Sequence, residues 1–221
     1  MTVPDLKQPL LSVRDLCIKT STGLPILDGV SFDVGAGEIV ALVGESGSGK
    51  TVAARATMRL LPKVIRPVAG EILFNQRDVL KMTDAEIRAI RGAQIGMVFQ
   101  EPMVSLNPAM TIGAQLIEGL RLHEKLGIDA ALTRATDMLE RVRIADPAAC
   151  LAAFPHQFSG GMRQRIMLAS VMLLRPKLLI ADEPTTALDT LTQREVLEVM
   201  VDLTRTFGTA VLLITHNLGL V

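Results

Sequence analysis

Gly44-Glu45-Ser46-Gly47-Ser48-Gly49-Lys50-Thr51 decides how this chain is read. The stretch fits G-x-x-x-x-G-K-[ST]. It follows the nearly continuous apolar run Glu38-Ile39-Val40-Ala41-Leu42-Val43 and precedes residues 51–61, which have helical character and stop at Pro62. Glycines let consecutive backbone N–H groups turn inward around a phosphate chain, and the N-terminus of the following helix adds its positive end. In that arrangement Lys50 meets the β and γ phosphates and the Thr51 hydroxyl ligates Mg²⁺. The bland alternative is a glycine-rich turn with a solvated lysine. The flanking strand and helix count against it.

Outward from this loop, residues 10–18 and 26–34 mix alternating apolar positions with Thr22, Gly23 and Pro25 between them, which predicts two antiparallel strands. The run over 38–43 reads as a strand buried on both faces of a parallel sheet. Another strand is expected over 70–74. Thr83-Asp84-Ala85-Glu86 has the capping-box spacing for a short helix ending near Gly92, and residues 95–99 form a strand that ends at Gln100. From Glu101 to Phe158 strand signals vanish, while 112–122 and 130–142 show apolar positions three and four apart, as in an inserted helical subdomain. Strand character returns at 178–181 and 210–214, on either side of a helical stretch over 191–206. Helices alternating with buried strands imply an α/β fold with a mostly parallel sheet covered on both faces.

A chain of 221 residues has room for one large domain, or one domain carrying an insert. The 23 Lys and Arg balance the 23 Asp and Glu, so the field that would attract nucleic acid or an anionic membrane is missing. Hydrophobic residues make up 49% of the chain, yet no apolar run reaches the roughly 18–20 residues that span a bilayer. Cys17 and Cys150 stand apart from any Cys or His cluster, which argues against a disulfide framework or structural zinc and fits a reducing cytosol. Residues 1–11 carry Pro4, Asp5 and Pro9 without a basic n-region and apolar core, so a short disordered lead is expected rather than a secretory signal.

Two further stretches carry chemistry. Leu178-Leu179-Ile180-Ala181-Asp182-Glu183 is an apolar strand ending in two carboxylates, at the sheet edge where a phosphate loop also opens. Asp182 can hold Mg²⁺ through water, and Glu183 is placed to polarise a water against the γ-phosphate. Ser159-Gly160-Gly161-Met162-Arg163-Gln164-Arg165 opens an apolar helical stretch running to Leu174, with Ser159 as N-cap. Its exposed N–H groups form a second candidate anion site, or simply a flexible cap on a core helix. Because this element lies more than a hundred residues from the phosphate loop, with a helical insert between, a facing partner would supply its ligand.

The order of these elements resembles the ATP-binding subunits of ABC transporters: the loop Gly44 to Thr51, Gln100 at a strand end, Phe158-Ser159-Gly160-Gly161-Met162, Asp182-Glu183, Ala187-Leu188-Asp189 and His216 after a strand. The stretches from Phe99 to Pro108, from Phe158 to Arg165 and from Ala181 to Asp189 look more narrowly like the oligopeptide, dipeptide and nickel importer group. The resemblance implies a P-loop NTPase (RecA-like) core with an N-terminal antiparallel β subdomain, formed by 10–100 and 159–221, and an α-helical insert over 101–158. It implies ATP and Mg²⁺ as ligands, Gln100 reaching the metal and the attacking water, and His216 contacting the γ-phosphate. Asp189 would lie across a subunit interface. Ser159, Gly160, Gly161 and Met162 of one subunit would close on the phosphate loop of a second ATP-binding subunit, identical or related. Closure would pull on transmembrane permease subunits at the cytoplasmic face of the inner membrane, with a solute-binding protein involved indirectly and no nucleic acid. Met103, Val104 and Leu106 would offer the permease an apolar patch, or else pack in the core.

Three departures from the pattern stand out. No aromatic lies between Leu10 and Phe32 to stack on adenine, and the expected position, near Thr20, is small and polar. Stacking on a base is worth about 1–3 kcal/mol, so modest nucleotide affinity or tolerance of GTP follows. Met162 stands where many relatives carry Gln. The sequence stops at Val221, five residues after His216, which reads as a truncated C-terminal end. The leading reading is an ATP-hydrolysing importer subunit. A non-catalytic or fragmentary nucleotide-binding interaction module is the alternative that the missing aromatic favours and that Lys50, Asp182, Glu183 and His216 oppose. A soluble ABC-type ATPase of repair or translation is opposed by the near-zero net charge, and a small-molecule kinase would have no role for Ser159-Gly160-Gly161 or His216.

Overall fold

The structure, a computed structural model, describes residues 8–99, 106–185 and 188–216. Within these, eight strands form two four-stranded sheets. Strands β1 (Leu11–Thr20), β2 (Pro25–Val34), β4 (Ile65–Phe74) and β5 (Arg77–Asp78) make an antiparallel sheet of order β2-β1-β4-β5. Strands β3 (Ile39–Val43), β6 (Ile95–Val98), β7 (Leu178–Asp182) and β8 (Ala210–Thr215) make a parallel sheet of order β3-β8-β7-β6. The strand expected over 70–74 begins earlier, at Ile65, and pairs antiparallel with β1.

Alternation along the parallel strands explains why two cores exist. Leu178, Ile180, Leu212 and Ile214 face one core, shared with the antiparallel sheet, α1 (Lys50–Thr57) and α2 (Asp84–Ile90). Leu179, Ala181, Val211 and Leu213 point the other way, into a core built with helices. Those helices are α3 (Ile112–His123), α4 (Ile128–Arg141), α5 (Pro147–Ala152), α6 (Gly160–Met172) and α7 (Thr190–Phe207). Leu116, Leu120, Ala135 and Leu139 meet Ile166 and Met172 there. Each large aliphatic side chain so buried contributes roughly 1.5–3 kcal/mol. Leu106 is only 6% exposed and sits in this helical core, so for Leu106 the packing reading replaces the docking patch; Met103 and Val104 lie outside the described residues.

Burial on both faces holds for β7 and β8, whose residues are buried throughout. It does not hold for β3, where Ile39 is 45% and Val43 39% exposed. Among the described residues β3 pairs with β8 alone, and Val40 and Leu42 on its other face are only half-buried. Helix α1 also ends sooner than Pro62 would dictate. Arg59 turns left-handed (φ 51°), and the N–H groups of Leu60 and Arg59 donate to the carbonyls of Arg55 and Ala56, a Schellman closure that stops the helix first. The capping box at Thr83 and Glu86 forms as its spacing predicts. No helix among the described residues is long and apolar enough to cross a membrane.

At one position the antiparallel sheet requires a glycine. Gly70 has φ +88°, opposite an irregularity in β1, and a Cβ there would sit 2.5 Å from the Asp15 carbonyl oxygen. Gly70→Ala is therefore expected to destabilise the fold by about 2–3 kcal/mol, read as a lower denaturation midpoint with unchanged slope.

Candidate functional site

Parallel register brings three strand ends to one edge. Val43 of β3 lies opposite Thr215 of β8, and Ile214 opposite Asp182 of β7, so the segments that follow each strand emerge together. From β3 emerges the loop from Gly44 to Thr51. Gly47 (φ +84°) and Gly49 (φ +89°) are left-handed, and a Cβ on Gly49 would stand 2.5 Å from Leu27 Cδ2. Helix α1 has no side-chain cap and no acidic residue in its first turn, which suits its N-terminus to an anion.

The loop borders a cleft of about 530 Å³. Ser46, Gly47, Gly49, Lys50 and Thr51 form one side and Glu183 and His216 another. Lys50 Nζ donates to the carbonyls of Gly44 and Glu45, both at 2.7 Å, and to Ser48 Oγ at 3.2 Å. Ile26 and Val52 supply the apolar wall. Neither was singled out from the sequence, and the only signal for Ile26 is its place in an alternating strand. Thr20 does not border the cleft: its hydroxyl accepts from Leu24 N–H at 3.1 Å and lies 2.8 Å from Thr22 Oγ1, closing the turn between β1 and β2.

Asp182 is wholly buried. Its Oδ1 accepts from the Thr51 hydroxyl at 2.8 Å, while Oδ2 is buried without a hydrogen-bond partner. Burial pushes the carboxyl pKa up, against the Thr51 hydrogen bond and the nearby Arg55 charge. A solvent-free carboxylate oxygen lacking a donor, next to a hydroxyl, fits a hard divalent cation such as Mg²⁺. Glu183 follows with φ +46°, its N–H donating to the Ile214 carbonyl at 3.0 Å. Its Oε1 lies 3.2 Å from His216 Nδ1, the imidazole being half exposed and the carboxylate mostly buried. A carboxylate of this kind, facing a phosphate-sized cleft, can take a proton from water.

The other expected residues sit elsewhere. Ser159 Oγ accepts from Met162 N–H at 3.3 Å and caps α6; Asp189 caps α7, accepting from Thr192 N–H at 3.1 Å. That backbone donor draws the Asp189 pKa below the usual carboxylate value. The two helix starts are locked side by side, since a Cβ on Gly161 would lie 2.3 Å from Thr192 Cγ2 and one on Gly160 3.2 Å from Leu188 Cδ2. None of Ser159, Gly160, Gly161, Met162 or Asp189 borders the cleft beside Lys50. Gln100 and Ala187 lie outside the described residues.

Residues 27–186 match the family described as ABC transporter. The oligopeptide transport ATP-binding protein OppD of Bacillus subtilis (strain 168) is 48% identical over 218 residues, spanning 96% of this chain and 60% of the relative. The dipeptide transport ATP-binding protein DppD of the same organism is 46% identical over 218 residues, 97% of this chain and 65% of the relative. The chain thus spans less than two thirds of the length of these relatives. Among solved structures, a dimeric ATP-binding cassette in a post-hydrolysis state bound to ADP and Pi superposes with a TM-score of 0.82 at 25% identity, covering 95% of this chain and 89% of the other.

Burial of the Asp182 charge costs stability in the empty protein. Its folded pKa lies above the unfolded one, so its contribution is fully present below the unfolded pKa and is lost as pH rises through the folded pKa. Asp182→Asn is expected to remove that pH dependence and to raise the melting temperature of the nucleotide-free protein at neutral pH, while abolishing any Mg²⁺-dependent effect of nucleotide on it.

Proposed function

Because the chain belongs to the ABC transporter family, we propose that it is the ATP-binding and ATP-hydrolysing part of an importer for peptides or a related small solute. The observation that carries this is the convergence of Lys50, Thr51, Glu183 and His216 on one cleft, with Asp182 hydrogen-bonded to Thr51 beneath it. The peptide assignment leans on the transport roles in the names of the relatives and on the stretches around Phe158 to Arg165 and Ala181 to Asp189.

In this reading the triphosphate lies in the backbone amides between Gly44 and Thr51. The Lys50 ammonium leaves the carbonyls of Gly44 and Glu45 for the β and γ phosphates, exchanging neutral acceptors for charged ones. Thr51 and Asp182, with Gln100, would hold Mg²⁺, which neutralises charge on the phosphate oxygens. Glu183 takes a proton from water as that water's oxygen bonds to the γ phosphorus, and the bond from the γ phosphorus to the bridging oxygen breaks, leaving its electrons on ADP. His216 holds the Glu183 carboxylate from the solvent side and reaches the γ-phosphate.

Ser159, Gly160, Gly161, Met162 and Asp189 then belong to the site of a second ATP-binding subunit, identical or related. Ser159 and Asp189 are exposed, Gly160 and Met162 are partly so, and none of the five borders the cleft beside Lys50, which supports this arrangement. Closure of the pair would move transmembrane permease subunits, with this chain peripheral on the cytoplasmic face of the membrane and a solute-binding protein delivering cargo outside.

Glu183→Gln is expected to lower phosphate release at least 100-fold, the order of magnitude of a general base, with ATP binding retained by nucleotide titration. Undiminished hydrolysis would remove Glu183 from this role, and an isolated monomer as fast as the associated form would remove the paired arrangement.

A further inference from the structure

We propose that Gln164 is a positioning residue for Glu183: it ties the helix that begins at Ser159-Gly160-Gly161 to the turn on which the base sits. The inference rests on the hydrolytic reading above.

The turn needs outside support. Glu183 is left-handed, a conformation that a side chain with a Cβ keeps only where the surroundings over-determine it. Three consecutive residues are each held by a different element. Glu183 N–H donates to Ile214 of β8 at 3.0 Å. Gln164 Nε2, from α6, donates to the Pro184 carbonyl. Gln193 Nε2, from α7, donates to the Thr185 carbonyl at 2.8 Å. The supports for Pro184 and Thr185 therefore come from the two helices whose first turns carry Ser159 and Asp189.

Packing alone does not account for a glutamine at this place. Gln164 is 1% exposed, and its Oε1 is buried with no partner. An unsatisfied amide oxygen is a cost that methionine, of similar length, would not carry. What the amide supplies and methionine lacks is the donor to Pro184. Gln164 also stands one turn after Gly160 on the same helix face. Gly160 and Gly161 are wedged against Leu188 and Thr192, so the first turn of α6, the turn at 183–185 and the start of α7 form one packed unit. A ligand engaging the Ser159-Gly160-Gly161 edge displaces Pro184 along with α6, and Glu183 is its neighbour in the chain.

The test is steady-state ATP hydrolysis by the purified protein carrying Gln164→Met, beside native protein and Gln193→Met, each with its ATP affinity and melting temperature. We expect kcat to fall about tenfold or more, the usual penalty for a displaced catalytic group, with KM for ATP and the melting temperature close to native. Gln193→Met should show the same split, and the double variant should lose less than the product of the single losses because both act on one turn. A native kcat in a folded Gln164→Met protein, or a rise in KM equal to the loss in kcat/KM, overturns the inference and leaves the hydrolytic reading standing. If Gln164→Met does not fold, Gln193→Met decides by the same split. Native protein that binds ATP without hydrolysing it brings down both.

Discussion

A carboxylate shut away from water governs the rest of this molecule. Asp182 sits at the end of a strand buried on both faces, with one oxygen held by the Thr51 hydroxyl and the other facing no donor. Burial disfavours its charge, and a cation brought to the cleft would offset that cost. The hydrogen bond joins residues 131 apart in sequence and pins the first turn of α1 to the end of β7. Through it, the phosphate loop and the acidic pair become one object. The parallel register that aligns β3, β8 and β7 serves to make this meeting possible.

Much of this was legible in the chain itself, because its signals are local. A glycine-rich loop between an apolar run and a helix, an apolar run ending in Asp182-Glu183, and the Thr83 to Glu86 cap each carry their own geometry in their spacing. What escaped was set by tertiary neighbours. No pattern in Pro25–Val34 says that Ile26 walls the cleft while Thr20 closes a hairpin. The premature end of α1 is written in an arginine that adopts a glycine's conformation, and Leu106 was ambiguous because an apolar residue reads alike on a surface patch and in a core. The buried amide of Gln164 had a reason to exist only once Pro184 was seen above it.

The region around Glu183 sets local stability against readiness for chemistry. A left-handed glutamate, an orphaned carboxylate oxygen and an orphaned amide oxygen lie within a few residues of one another in space or sequence. Each is individually unfavourable, and such features gather where function needs a fixed geometry that folding alone would relax. Support comes from the two cores on either side of the parallel sheet, which hold β7 and β8 so firmly that the unfavourable groups have nowhere to go.

The arginine that ends α1 does two jobs at one position. Its backbone takes up the left-handed turn, while its guanidinium donates to the Met82 carbonyl and pairs with Asp84 at the start of α2. A glycine would be easier on the backbone there and would leave the two short helices unlaced. Comfort of the main chain and anchorage by the side chain thus pull residue 59 in opposite directions, and the anchorage has prevailed.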